Sequence, residues 1–188
     1  MSDDHDRSSL TVLPSAQDHR QGLLSAAIVL VMYGDYESPQ SANVYRLIKA
    51  VQSQLSNSFG APDLCFILRH FPQPQIHPHA QHAAEAAEAA AAQGQFWPMH
   101  ESLFVRQQSL GNGFLVEYAN NLGLDIPRFL RDISRQVYAD RVNEDVASGC
   151  QSGVIAEPAL FMNGIRYRNR WNVLQLMVAI ANLNPLNP

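Results

Sequence analysis

The stretch Val29-Leu30-Val31-Met32-Tyr33-Gly34-Asp35-Tyr36-Glu37-Ser38-Pro39-Gln40-Ser41 constrains the fold more than any other part of the chain. Its apolar half lacks alternation and suits a strand covered on both faces. Its polar half ends in Ser38, a good N-cap, and Pro39, which suits a first helical position because its missing N–H has no partner there anyway. A strand, a short turn and a helix start therefore follow from local rules. The positive end of a helix dipole and unpaired N–H groups would face residue 38, and a thiol there would be acidified to a pKa of about 3.5–7.5. A serine hydroxyl in the same field stays protonated.

The remaining organisation can be read from periodicity and breakers. The acidic, serine-containing residues 1–22 are expected to form a flexible arm, and the first core strand is expected at 26–33. Val44, Leu47, Ile48, Val51 and Leu55 recur at helical spacing over 39–57, and Leu64-Cys65-Phe66-Ile67-Leu68 marks a strand at 63–71 that stops at Pro72 and Pro74. Strand, helix and strand make a right-handed βαβ unit. From 76 to 152 the pattern is helical. It holds the alanine-rich tract 80–92, an apolar helix with Phe96, Trp97, Met99, Leu103 and Phe104, one with Leu115, Tyr118, Ala119 and Leu122, and one capped by Asp125 with Phe129, Leu130 and Ile133. Asn163-Gly164 between two extended runs predicts a hairpin of 159–162 with 165–168, followed by a helix carrying Val173, Leu174, Leu176, Met177 and Ile180. The order is βαβ, helical insert, ββα. This divides the chain into an arm (1–22), a core (23–75 and 153–188) and an inserted helical subdomain (76–152).

Composition narrows the function classes. With 188 residues, 46% of them hydrophobic, the chain can fill one sizeable core, and a net charge of -4 gives no electrostatic footprint for nucleic acid or anionic membrane. Arg166, Arg168 and Arg170 alternate and are expected on the solvated face of a strand. The apolar run Leu23–Tyr33 is too short to span a bilayer, and no positive region feeds an apolar stretch near the start, so no membrane insertion and a cytoplasmic location are expected. Cys65 reads as a buried small hydrophobe; Cys65 and Cys150 lie outside any Cys-x-x-Cys spacing and suggest neither a disulfide framework nor a zinc site. His77, His79, His82 and His100 fit no standard zinc pattern, and no metal is expected.

The turn at 34–41 resembles that of DsbA-like thioredoxin-fold proteins, whose pattern is Gly-Asp-Tyr-x-Cys-Pro-x-Cys. Further carriers of the resemblance are Asp18-His19, Arg69-His70-Phe71-Pro72, His77-Pro78-His79-Ala80, Phe96-Trp97-x-Met99-His100 and Ala159-Leu160-Phe161-Met162-Asn163-Gly164. It covers residues 18–183 and looks closest to the thioredoxin-like domains attached to some bacterial sodium/proton antiporters and their free-standing relatives. The resemblance implies an α/β thioredoxin-like fold with an inserted helical domain. It also implies a cis bond before Pro158, with Glu157 where the family usually has threonine, valine or serine, and a ligand-binding set of Tyr36, Ser38, Pro39, Ser41, Glu157 and Pro158.

At both family cysteine positions this chain has a hydroxyl, Ser38 and Ser41. Disulfide exchange needs one sulfur to form the mixed disulfide and another to resolve it, so oxidoreductase activity is expected to be absent and no residue is assigned as catalytic. Three functions remain open. One is non-redox binding of a peptide, protein or small thiol at the former active-site groove. Another is a glutathione-dependent transferase or isomerase of the kappa-class kind using Ser38, since Ser-Pro-x-Ser resembles that class; glutathione is the only cofactor in view. The last is a structural or regulatory interaction module, in which the serines only cap a helix. Ligand identity and oligomeric state stay open at this level.

Overall fold

The computed structural model describes residues 9–61 and 63–183. The chain divides into two compact units, one made of the residues up to Tyr33, Asn43–Arg69 and those from Ser148 onward, the other of Gly34–Ala42 and His70–Ala147. In chain order the elements are β1 (His19–Gln21), β2 (Ile28–Gly34), α1 (Pro39–Ser56), β3 (Leu64–His70), α2 (Ala80–Ala91), α3 (Phe96–Val105), α4 (Asn112–Asn121), α5 (Ile126–Ser134), α6 (Ala139–Gln151), β4 (Ala159–Met162), β5 (Ile165–Arg166) and α7 (Val173–Leu183).

The first unit is built on a sheet of strand order β1-β3-β2-β4-β5. Consecutive residues of the central strands are buried, among them Leu30 to Tyr33, Cys65 to Leu68 and Ala159 to Met162. Burial on both faces is what a non-alternating apolar run requires. Val44, Ile48 and Val51 of α1 and Leu176 and Ile180 of α7 are buried as well, at helical spacing. The strands β2 and β4 run antiparallel with Leu30 opposite Met162 and Tyr33 opposite Ala159. Asn163 and Gly164 both take positive φ, 47° and 80°, as a two-residue hairpin demands. The Asn163 side chain extends the pairing: its Oδ1 accepts from Val29 N at 2.7 Å and its Nδ2 donates to Ala27 O at 3.0 Å.

Two sequence expectations are corrected in this unit. Residues placed in the arm are part of the fold: β1 pairs antiparallel with β3, Leu10 is buried, and Leu10 N donates to Gly164 O at 2.8 Å; residues 1–8 lie outside the described residues. The strand then turns at Gly22, whose φ is +102° and where a Cβ would lie 2.6 Å from Leu64 O, so only glycine fits. The second hairpin strand is shorter than 165–168: it spans Ile165–Arg166, after which Tyr167 is buried, its N–H donating to Leu160 O at 2.8 Å and its hydroxyl to Arg170 O at 3.0 Å. Arg168 and Arg170 are exposed, but outside any strand, and Arg166 is half-buried and donates to Gly153 O.

The second unit is helical apart from its opening turn. Its central helix α2 packs against α3, α4 and α5. Alanines at 80, 83, 84, 86, 87, 89 and 90 are buried, which the small side chains permit at close interhelical approach, and Glu85 and Glu88 are buried with them. Asp125 caps α5 by accepting from Arg128 N at 2.9 Å. Leu130, expected on the apolar face of that helix, is exposed. Among the described residues no helix is long and apolar enough to cross a membrane.

Candidate functional site

Ser38 begins α1 as its sequence dictates. Its Oγ accepts from Ser41 N at 3.2 Å, the N-cap bond to the third helical residue, and donates to Gln40 Oε1 at 3.3 Å. Ser41 Oγ in turn accepts from Asp35 N at 3.1 Å. Both serines are buried, while Pro39 and Gln40 are exposed. The hydroxyls of Ser38 and Ser41 are therefore acceptors for backbone N–H groups of the turn itself.

Asp35 organises the rest of the turn. Its buried carboxylate accepts from Glu37 N (2.8 Å) through Oδ1 and from Gln73 N and His77 Nδ1 (both 2.9 Å) through Oδ2. Glu37 Oε2 accepts from His79 N at 2.7 Å. The loop 73–79 is thus stapled to the turn through two carboxylates. From another direction, Gln107 Nε2 donates to the carbonyls of Tyr36 at 2.7 Å and Ser38 at 2.8 Å. Tyr36 is buried, with its hydroxyl 3.0 Å from His100 Nδ1 and its ring 4.9 Å from that of Phe104.

His70 closes a buried polar ring within the same unit. His70 N donates to Asp145 Oδ2 at 2.9 Å and His70 Nε2 lies 3.0 Å from Glu88 Oε1; Arg141 reaches both carboxylates. Such a ring gives the buried carboxylates of Glu88 and Asp145 their partners. In the first unit Arg69 plays the corresponding role. It is buried, donates Nε and Nη2 to the two oxygens of Asp18 at 2.8 and 3.2 Å, and also reaches Val12 O, Leu13 O and the Tyr33 hydroxyl. Burial alone would lower its pKa, but the bonds to Asp18 and Tyr33 outweigh that and raise it above the ordinary value.

The predicted ligand-binding residues fall in different surroundings. Tyr36, Ser38, Pro39 and Ser41 stand together in the turn just described. Glu157 and Pro158 belong to the other compact unit, are half-buried, and are joined by a cis peptide bond. Cys65 is buried, which pushes its thiol pKa up, and Cys150 is exposed; both are free thiols. Sequence reasoning missed Gln107 altogether, because no spacing connects it with residues 36–38. Of the four histidines weighed for metal, His77 pairs with Asp35, His100 lies against Tyr36, and His79 gives its backbone N–H to Glu37.

Comparison with known proteins agrees with this geometry. A family described as Thioredoxin matches residues 15–181. A Na(+)/H(+) antiporter NhaA of Herminiimonas arsenicoxydans is 39% identical over 155 residues, covering 82% of this chain and 24% of the antiporter. A Na(+)/H(+) antiporter NhaA 1 of Salinispora arenicola is 35% identical over 166 residues, 88% of this chain and 24% of that protein, so the chain spans about a quarter of the length of these relatives. Among solved structures, oxidised BdbD from Bacillus subtilis superposes with a TM-score of 0.79 at 19% identity, covering 94% of this chain and 98% of that one. Wolbachia pipientis alpha-DsbA1 gives 0.77 at 17% identity over 92% and 94%.

Proposed function

Since the chain belongs to the thioredoxin family and has a DsbA-like thioredoxin fold, we propose that it is a binding protein without disulfide chemistry, whose Tyr36–Ser41 turn receives a peptide, a protein segment or a small thiol such as glutathione in a non-covalent way. The observation that carries the reading is the role of the two serines. Each hydroxyl serves as an acceptor inside the helix cap, and neither provides a sulfur to form or resolve a mixed disulfide. Cys65 is buried with a raised thiol pKa, which disfavours the nucleophilic thiolate. The family resemblance adds Glu157 and Pro158 to the binding set, where backbone groups beside the proline would meet an extended ligand. A cytoplasmic location belongs to the same reading.

Amide chemical-shift mapping of the whole chain with glutathione, and separately with an unstructured peptide pool, tests this. Shifts clustered at 36–42 and 155–159 are expected. Absence of shifts at millimolar ligand contradicts binding at this turn.

The relatives favour a second reading of the same fold. In them the matching segment forms about a quarter of a sodium/proton antiporter. The chain would then act as an interaction module for such an antiporter, its turn serving to recognise the partner polypeptide. A binding measurement against a purified antiporter from the same organism separates the readings, because glutathione competes only if both ligands use the turn.

A further inference from the structure

The sheet of the first unit ends at β5, and the chain around that strand is basic. From Pro158 to Pro188 there are three arginines, Arg166, Arg168 and Arg170, and no acidic residue, in a chain whose net charge is -4. Arg168 and Arg170 are exposed, and burial together with the charge of Arg168 lowers the pKa of Arg166. One side of β5 is taken by β4, which sets Phe161 opposite Arg166, and Tyr167 N donates to Leu160 O at 2.8 Å on that same side. Backbone N–H groups alternate in direction along an extended chain, so those of Arg166 and Arg168 point the other way, to the edge of the sheet.

Residues 9–11 lie along that edge. Ser9 forms an antiparallel bridge with Ile165, and Leu10 N donates to Gly164 O at 2.8 Å. The segment is anchored there: Leu10 is buried, and Thr11 bonds to Ser152 Oγ at 3.0 Å and to Gln151 O at 2.9 Å. In an antiparallel pair one strand advances as the other retreats, so the register of Ser9 with Ile165 continues as Ser8 opposite Arg166 and Asp6 opposite Arg168. Residues directly opposite share a face, as do alternate residues of one strand. Asp4 and Asp6 thus belong to the face of the arginines, while Arg7, opposite Tyr167, belongs to the other. The chain bends at Asn169, and from Asp6 the two further residues to Asp4 span about 7 Å, enough to follow the bend toward Arg170.

We propose that the β5 edge is a docking surface for an extended acidic segment, and that residues 2–8 of this chain occupy it as an added antiparallel strand, with Asp6 paired to Arg168 and Asp4 reaching Arg170. Backbone bonds at Arg166 and Arg168 hold the segment, and the aspartates fix its register. A slip of one residue carries both aspartates to the opposite face and sets Arg7 against Arg168. The strap closes an edge that a strand of another chain would otherwise extend.

Nuclear Overhauser contacts and amide hydrogen exchange in the whole chain test this. The bond from Leu10 N to Gly164 O flanks the Ser9–Ile165 pair and makes it the close, non-hydrogen-bonded kind, which recurs at every second residue. An Hα–Hα contact between Arg7 and Tyr167 is therefore expected, together with protection of the Arg168 N–H. Asp6→Asn should lower that protection about threefold and Asp6→Arg should lower it further, while Arg168→Asp added to Asp6→Arg restores it. Deleting residues 2–8 should abolish it, with exchange in the buried strand β3 unchanged as the sign that the variant stays folded. The proposal is overturned if the contact between Arg7 and Tyr167 is missing, or if protection at Arg168 survives the deletion. Protection in the full chain that rises with protein concentration would put a second copy at the edge, and overturns it as well.

Discussion

The Arg69 cluster of the first unit and the turn at 35–38 of the second hold their polar groups by opposite strategies. In the first, one guanidinium gathers Asp18, Val12 O, Leu13 O and the Tyr33 hydroxyl, so a single residue holds a formal charge and its counter-charge in place. In the second, the turn at 35–38 is held by many partners, each supplying one or two bonds: Ser41, Gln73, His77, His79 and Gln107. A hub concentrates the energetic risk in one side chain; a distributed turn spreads it.

The contrast is broken most severely at the hub. Arg69→Met should cost about 3–5 kcal/mol in denaturant unfolding, because it leaves the Asp18 carboxylate buried without its counter-charge. Adding Asp18→Leu to Arg69→Met should recover part of that loss, since the two side chains act as a pair. Equal costs for the single and double variants would show that the ion pair is not the source.

Legibility in the sequence follows the same contrast. Short-range features were readable: the Ser38-Pro39 helix start, the Asp125 cap and the Asn163-Gly164 hairpin each depend on residues within four positions. The buried strands were readable too, because their apolar runs record burial directly. Strand β1 was not, since His19-Arg20-Gln21 has no apolar alternation and becomes a strand only by pairing with Gln21 opposite Phe66 and His19 opposite Leu68. Arg69 with Asp18, 51 residues apart, and Gln107 with Ser38, 69 apart, leave no periodic trace. The candidate site was therefore half visible: its capping residues could be named, and the side chains that orient it could not.

Smaller effects are expected at the turn. Ser41→Ala leaves the buried Asp35 N–H without its acceptor and should cost about 1–3 kcal/mol. Ser38→Ala removes the N-cap bond and should cost about 1 kcal/mol. Denaturant midpoints at constant slope check both, and a loss at either serine as large as that of Arg69→Met would refute the distributed account.

The smallest effect concerns alkaline pH in the first unit. Burial raises the pKa of Tyr167 in the folded chain. Its contribution to stability is complete below the unfolded tyrosine value of about 10 and is lost as pH rises through the raised folded value. Cys65, raised by its own burial, adds a decline in the same direction that starts nearer pH 9, the ordinary value of its thiol. Unfolding free energies from pH 8 to 11.5 should therefore fall less steeply for Tyr167→Phe than for the parent, after allowance for the lost bond to Arg170 O, which is independent of pH below 10.

The most direct test of the central claim, that this thioredoxin fold keeps the frame of the site without its redox chemistry, is catalysed oxidative refolding of a reduced disulfide protein in a glutathione buffer. The account predicts no acceleration by the native chain over buffer, and acceleration by the Ser38→Cys, Ser41→Cys double variant. Acceleration by the native chain that disappears with Cys150→Ser would contradict it.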